Sequence, residues 1–274
     1  MTPNRFIIIL PDLHIRKARG GVPSGEDSQI LRNVVFPFMR EHKKRITHVI
    51  QLGDFLDLPS LSRHESWRET DEAVDLALGD YAYGREWTKE LYEEAPDAKW
   101  IILEGNHDWR AKSFCGSRRL RHLLPVLDVP TNLRLTDYAN LTWVPYWSDK
   151  RKLYTVGKAS FGHGLSIARN HSQVMARSYP GTNIYYGHCH DHQSYAPATN
   201  LKHSLNEARS LGLLGRLEQP YMAGAPTNWC NMIGVMTMFP NGHYALENPI
   251  ILGGRMVFGG KVYESNPVKK KLSI

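Results

Sequence analysis

Cysteine is scarce in this chain, and that scarcity sets the first limits. Cys115, Cys189 and Cys230 are odd in number and stand far apart. Such spacing makes neither a zinc ribbon nor a secreted disulfide framework. A reducing compartment, the cytoplasm, is the simplest setting. Long apolar runs are missing as well: no stretch reaches the ~18 residues of a membrane span, so no membrane association is expected. Residues 1–5 lack the basic start, apolar stretch and cleavage site of a secretory leader, and none is expected. Internal repeats and low-complexity segments are absent from the sequence, which leaves an ordinary globular chain and no evident partner protein.

What is present is histidine and positive charge. Thirteen histidines stand against the three cysteines, so any metal site would be built of nitrogen and oxygen ligands. The formal net charge is +7. It is unevenly spread, because residues 60–97 carry eleven acids and only four bases. A basic body around one acidic segment suits a polyanionic partner such as nucleic acid; the plainer reading is that basic residues keep the protein in solution.

Hydrophobic periodicity orders the first two-thirds of the chain as alternating strands and helices. Residues 6–10, 47–52 and 100–103 are short apolar runs that read as buried strands. Residues 28–44 read as a helix that Pro37 should kink or shorten. Residues 59–96 form a helical excursion, with Thr70 as its N-cap, Asp71 and Glu72 in the first turn, and Ala77, Tyr81, Gly84, Trp87 and Leu91 on its buried side. Further strands are expected at 141–144, 153–156, 159–161 and 183–186, with a tight turn at Gly157-Lys158 and a helix over 166–178. From residue 221 onward the pattern becomes an antiparallel meander, punctuated by Gly253-Gly254 and Gly259-Gly260. This meander is expected to form the second sheet of a sandwich. Lys269-Lys270-Lys271 reads as a solvated tail.

Five polar clusters each follow an expected strand: Asp12/His14, Asp54, Asn106/His107, His163 and His188/His190. Alternate side chains of an extended segment share a direction, so Asp12 with His14, or His188 with His190, can address one cation. Each cluster alone is weak, because Asn, Asp and Gly are ordinary turn residues. In an α/β sheet, however, the strand ends on one edge share a crevice where ligands bind. Two aspartates, an asparagine and four or five histidines there would suit two divalent cations of borderline hardness. So many imidazoles argue against magnesium or calcium.

The ordered series D-x-H at 12–14, G-D-x-x-D at 53–57, G-N-H-D at 105–108, G-H at 162–163 and G-H-x-H at 187–190 resembles the calcineurin-like metallophosphoesterase family. The likeness runs from Asp12 to His190, about two-thirds of the chain. It implies a single metallophosphoesterase domain over 1–274: a four-layer α/β/β/α sandwich of two mixed sheets flanked by helices, with the metal site at the strand C-terminal ends. The 59–96 excursion would be an insertion, and 221–265 a C-terminal antiparallel strand region. Residue by residue, the likeness implies that Asp12, His14 and His190 hold a first metal and Asn106, His163 and His188 a second, with Asp54 bridging both. It gives His107 the leaving-group role, with Asp108 orienting it, and makes Asp57 a supporting residue. Cys189 departs from the threonine common in that motif, at a position that is not a ligand.

The implied activity is hydrolysis of a phosphate ester by a hydroxide shared between two cations, manganese first, with iron, zinc or nickel as alternatives. Arg110, Lys112, Arg118 and Arg119 leave directly from the G-N-H-D loop and read as contacts for substrate phosphate; a solvated basic helix is the alternative. With the basic body, they favour a phosphodiester in nucleic acid or a nucleotide. A phosphomonoesterase acting on phosphoprotein or a small metabolite, and a non-catalytic metal-binding scaffold, are the rival readings.

Overall fold

The computed structural model describes residues 4–65, 67–116, 119–146, 153–197, 206–219, 222 and 224–265. The lysine run at 269–271 lies outside them.

The first strands are the apolar runs seen in the sequence: β1 (Arg5–Leu10), β2 (Ile46–Gln51), β3 (Lys99–Leu103) and β4 (Leu141–Val144). All three neighbouring pairs among them are parallel, so their C-terminal ends emerge together. A second group follows: β5 (Tyr154–Val156), β6 (Ala159–Gly162), β7 (Asn183–Tyr186), β8 (Ser194–Tyr195) and β9 (Ala208–Ser210). These make a second sheet in the order β5-β6-β7-β9-β8. The tight turn at Gly157 joins β5 to β6 with φ +57°, a left-handed conformation that glycine adopts without steric cost.

The remaining strands are β10 (Asn231–Met232), β11 (Gly234–Met238), β12 (Tyr244–Glu247), β13 (Ile250–Ile251), β14 (Arg255–Phe258) and β15 (Lys261–Glu264). They correct one expectation, for they do not form the second sheet. β11 pairs antiparallel with β1 and extends the first sheet to β12-β11-β1-β2-β3-β4. β1 thus gains a second neighbour along its other edge and is no longer an edge strand. The two-stranded pairs β10-β13 and β14-β15 stand apart from both large sheets.

Strand alternation sorts the core into layers. One face of the first sheet, with Ile7, Ile9, Ile50, Leu52, Ile101 and Leu103, packs against Val156, Phe161, Tyr185 and Leu211 of the second-sheet region. The opposite face, with Phe6, Ile8, Leu10, Val49, Trp100 and Ile102, packs under Phe36, Met39, Tyr81, Trp87 and Leu91 of the helices. Ile184, Tyr186 and Ala208 on the outer face of the second sheet meet Met175 and Ala176 of helix His171–Ser178. The layers run helix, sheet, sheet, helix, a mixed α/β sandwich.

Two helices refine the sequence reading. Ser28–Ile30, Leu31–Val35 and Phe36–His42 run on without a break, the middle segment widened to a π turn. Pro37 has no N–H to donate into the ladder, and the widened turn just before it absorbs the mismatch. The long helix Thr70–Glu94 is capped by Glu69, not Thr70, with no side-chain cap bond. Its buried positions include Ala77, Tyr81, Gly84, Trp87 and Leu91, so its aromatics are core. Among the described residues no helix is long and apolar enough to cross a membrane.

Candidate metal centre

Five loops leave the C-terminal ends of β1, β2, β3, β6 and β7 and converge. Backbone bonds strap the first two together: Leu13 N and His14 N donate to Asp54 O at 3.1 and 2.9 Å, and Ile15 N to Phe55 O at 2.9 Å. The glycines of the later motifs permit the closeness. A Cβ on Gly187 would collide with the Asp12 carboxylate, and one on Gly105 with the Asp54 backbone and carboxylate. The structure therefore needs glycine where a neighbouring loop brings in its carboxylate.

Six described non-glycine residues have positive φ, and four of them are His14, Asp54, His188 and His190. Left-handed backbone at such residues costs energy, and it concentrates where the surroundings impose it for a function.

Among the described residues the side chains form three groups, two of which share Asp54. Asp12, His14, Asp54 and His190 offer one set of ligand atoms, Asp54, His163 and His188 another, and His14, Asp57 and His107 the third. His14 Nε2 and His190 Nε2 face each other at 2.9 Å, and His190 Nε2 lies 3.1 Å from Asp12 Oδ2. On the other side His163 Nε2 lies 3.2 Å from Asp54 Oδ1 and 2.9 Å from Asn106 Oδ1. His163 Nδ1 is bound to Leu52 O at 2.9 Å. That bond fixes the ring and turns Nε2 inward, the usual support for a ligating imidazole.

The burial and charge of this donor set are compatible with a cation. Asp12 and Asp54 are buried, and their ion-pair partners among the described residues are all imidazoles. Asp12 Oδ1 is buried without a hydrogen-bond partner, a costly state for a carboxylate oxygen unless a cation completes it. Burial works against the charge on Asp54, but His163 and His107 outweigh it and hold the carboxyl well below its usual range. Burial also works against a charge on His163, and Asp54 and Asp12 override it, raising that imidazole to about 9. Burial, with His163 beside it, holds His188 down at about 4, so this ring is a neutral donor near pH 7.

His107 is placed by a partner that the sequence reading did not assign. Its Nδ1 lies 2.7 Å from Asp57 Oδ1, and Arg110 Nη2 faces its Nε2 at 3.1 Å. Asp108, expected to orient His107, does something else. Its carboxylate accepts from Gly105 N, Phe55 N and Leu56 N at 2.8, 3.2 and 2.8 Å. It ties the G-N-H-D loop to the G-D loop, leaving Asp57 to hold the imidazole. Burial pulls His107 below its ordinary pKa, partly opposed by Asp54. Arg16 was also missed: buried, it donates to Asp57 Oδ2 at 2.6 Å. The signal was its place in the sequence, two residues past His14 in the same loop.

The basic stretch behaves unevenly. Lys112 does not face the cleft as a free cation; its Nζ donates to both oxygens of buried Glu104, at 2.7 and 3.0 Å. Arg110 stays at the site, with Nη1 donating to Asp57 O at 2.6 Å. Arg119 is exposed, and Arg118 lies outside the described residues. His192 is exposed and joins no ligand group among the described residues. Behind His190, His171 Nε2 lies 3.1 Å from Asp191 Oδ2, which accepts from Asn228 Nδ2 at 2.8 Å. Trp229 packs edge-on against His190, with ring centroids 4.4 Å apart.

No family model matches the sequence, and no curated protein matches it. Among solved structures the chain is similar to the crystal structure of Chaetomium thermophilum Vps29, at 12% identity, covering 96% of this chain and 100% of that one, with a TM-score of 0.40. A likeness that distant carries no weight for the site, which rests on its own geometry.

Proposed function

We propose that the chain is a dinuclear metal-dependent phosphoesterase. The supporting observation is the convergence of five strand-end loops on two ligand groups that share Asp54, with four of the ligands on left-handed backbone. In this reading Asp12, His14 and His190 hold one divalent cation, Asn106, His163 and His188 the other, and Asp54 both. Manganese is the first choice, with iron, zinc and nickel as alternatives that the same donors accept. Bound there, such a pair supplies Lewis-acid activation of water and of a phosphoryl group.

The rest of the chemistry belongs to the chain. His107 takes up a proton from solvent at Nε2, where Arg110 otherwise donates, and delivers it to the departing oxygen, while its Nδ1–H donates to Asp57. Arg110, already against Nε2, neutralises charge on the departing group. The favoured substrate is a phosphodiester in nucleic acid or a nucleotide, on the net charge of +7 and the cationic Arg110. The chain is taken as one cytoplasmic domain, with 59–96 as a helical insertion and 221–265 as its C-terminal strand region.

The test is direct. Protein loaded with Mn²⁺ is assayed for bound metal by elemental analysis and for hydrolysis of bis- and mono-p-nitrophenyl phosphate. Two metals per chain and faster diester cleavage are expected. A clear monoester preference would transfer the reading to a phosphomonoesterase. Less than one metal with no turnover would leave a scaffold.

A further inference from the structure

A cleft of about 380 Å3 opens directly beside His188 and His190. The loop after β6 lines it with Ile167 and Arg169, and Asn228 and Trp229 line it from a later part of the chain. Three kinds of chemistry meet there. The imidazoles of two candidate ligands line its inner end. Ile167 is 81% exposed, a large apolar side chain left in water, and Trp229 lines the same cleft. Arg169 is exposed, and among the described residues its guanidinium makes no hydrogen bond or ion pair.

A compact phosphorylated metabolite would use the imidazole end and leave the rest unmatched. A chain of phosphates bearing flat bases matches all three features, because stacking on aromatic and apolar faces combined with cations along the backbone is how single strands are held. The volume lies in the range of sites that enclose one small organic moiety. His188 and His190, candidate ligands, line the cleft, so a base held in it would belong to a nucleotide near the scissile phosphate.

We infer that this cleft is a nucleobase subsite for single-stranded nucleic acid: Ile167 and Trp229 hold the base and Arg169 holds an adjoining phosphate. The inference rests on the phosphoesterase reading for the chemistry, but its test reads binding.

The experiment measures fluorescence anisotropy of a labelled, phosphorothioate-linked hexathymidylate on the Mn²⁺-loaded protein, against the same chain with abasic central sugars. The thymine-bearing chain should bind about tenfold more tightly, as expected for one stacked base. Ile167→Ser should erase that preference. Trp229→Ala should do the same, and Trp229→Phe should restore most of it. Arg169→Ser should weaken both chains and reduce the salt dependence by about 0.7 in log–log slope, the value for one single-strand phosphate. Ile167 and Arg169 are exposed, so circular dichroism and metal content should stay unchanged in their variants.

Equal binding of the two chains, wild-type binding by the Ile167 and Arg169 variants, or no binding at all would overturn the subsite. Base discrimination without bis-p-nitrophenyl phosphate hydrolysis would support the cleft and remove the phosphoesterase reading. Hydrolysis without discrimination would do the reverse.

Discussion

At the scale of single residues, charge decides the roles. Asp54 belongs to both ligand groups and is buried among imidazoles. Asp54→Asn removes the one carboxylate common to both and is expected to lower metal content at both sites, from two per chain to less than one, read by elemental analysis after dialysis. His107 belongs to a different group, with His14 and Asp57. His107→Ala should keep both metals and slow turnover ~10²- to 10⁴-fold, the usual range for a general acid. Poor leaving groups should suffer most, and a plot of log kcat against leaving-group pKa should steepen. Unchanged rates on alkyl esters would remove His107 from the chemistry.

At the scale of elements, the long helix Thr70–Glu94 carries the energetics that sit behind the site. Trp87 is 1% exposed and packs edge-on to Phe36, with centroids 6.2 Å apart. Trp87→Ala should lower stability by about 3–5 kcal/mol, the range for deleting a large aromatic from a core, measured by urea unfolding. The same helix buries a carboxylate. Burial raises Asp80 to about 6, against the opposing charge of Arg19 and the Lys17 N–H. The folded protein therefore holds this proton more tightly than the unfolded chain does. The resulting stability is fully present below about pH 4 and is lost as pH rises through about 6. Asp80→Asn should flatten the difference in Tm across that window relative to wild type. A slope identical to wild type would place the titration elsewhere.

At the scale of the whole molecule, two sheets and five loops must all be in place before the ligands meet, so metal binding and folding are linked. Mn²⁺ at one hundred times its Kd should stabilise the fold by about 2.7 kcal/mol per site, and a chelator should return Tm to the metal-free value. A Tm indifferent to Mn²⁺ and to chelator would argue that the carboxylates are balanced by His163 and its neighbours without a cation.

The sequence alone determined what depends on neighbours along the chain. Apolar runs marked β1, β2, β3, β4 and β7, and the helical period marked the buried side of Thr70–Glu94 with Tyr81 and Trp87 on it. Each polar cluster stood just past a strand because a loop there has to turn, and its residues sit within a few positions of the strand end. Only the tertiary structure decided what depends on distant pairing. Nothing local distinguishes a strand that joins β1 from one that starts a new sheet, and β11 joins β1. The short segment Ala208–Ser210 is a strand because its partners are already in place. Asp57 and Asp108 are both plausible partners for His107 in the sequence. The fold gives the imidazole to Asp57, fifty residues away, and commits Asp108 to three backbone N–H groups. Lys112 looked like a phosphate ligand until buried Glu104 claimed it. A carboxylate taken out of water must find its cation or its donors, and which ones it finds is settled by the packing that removes the water.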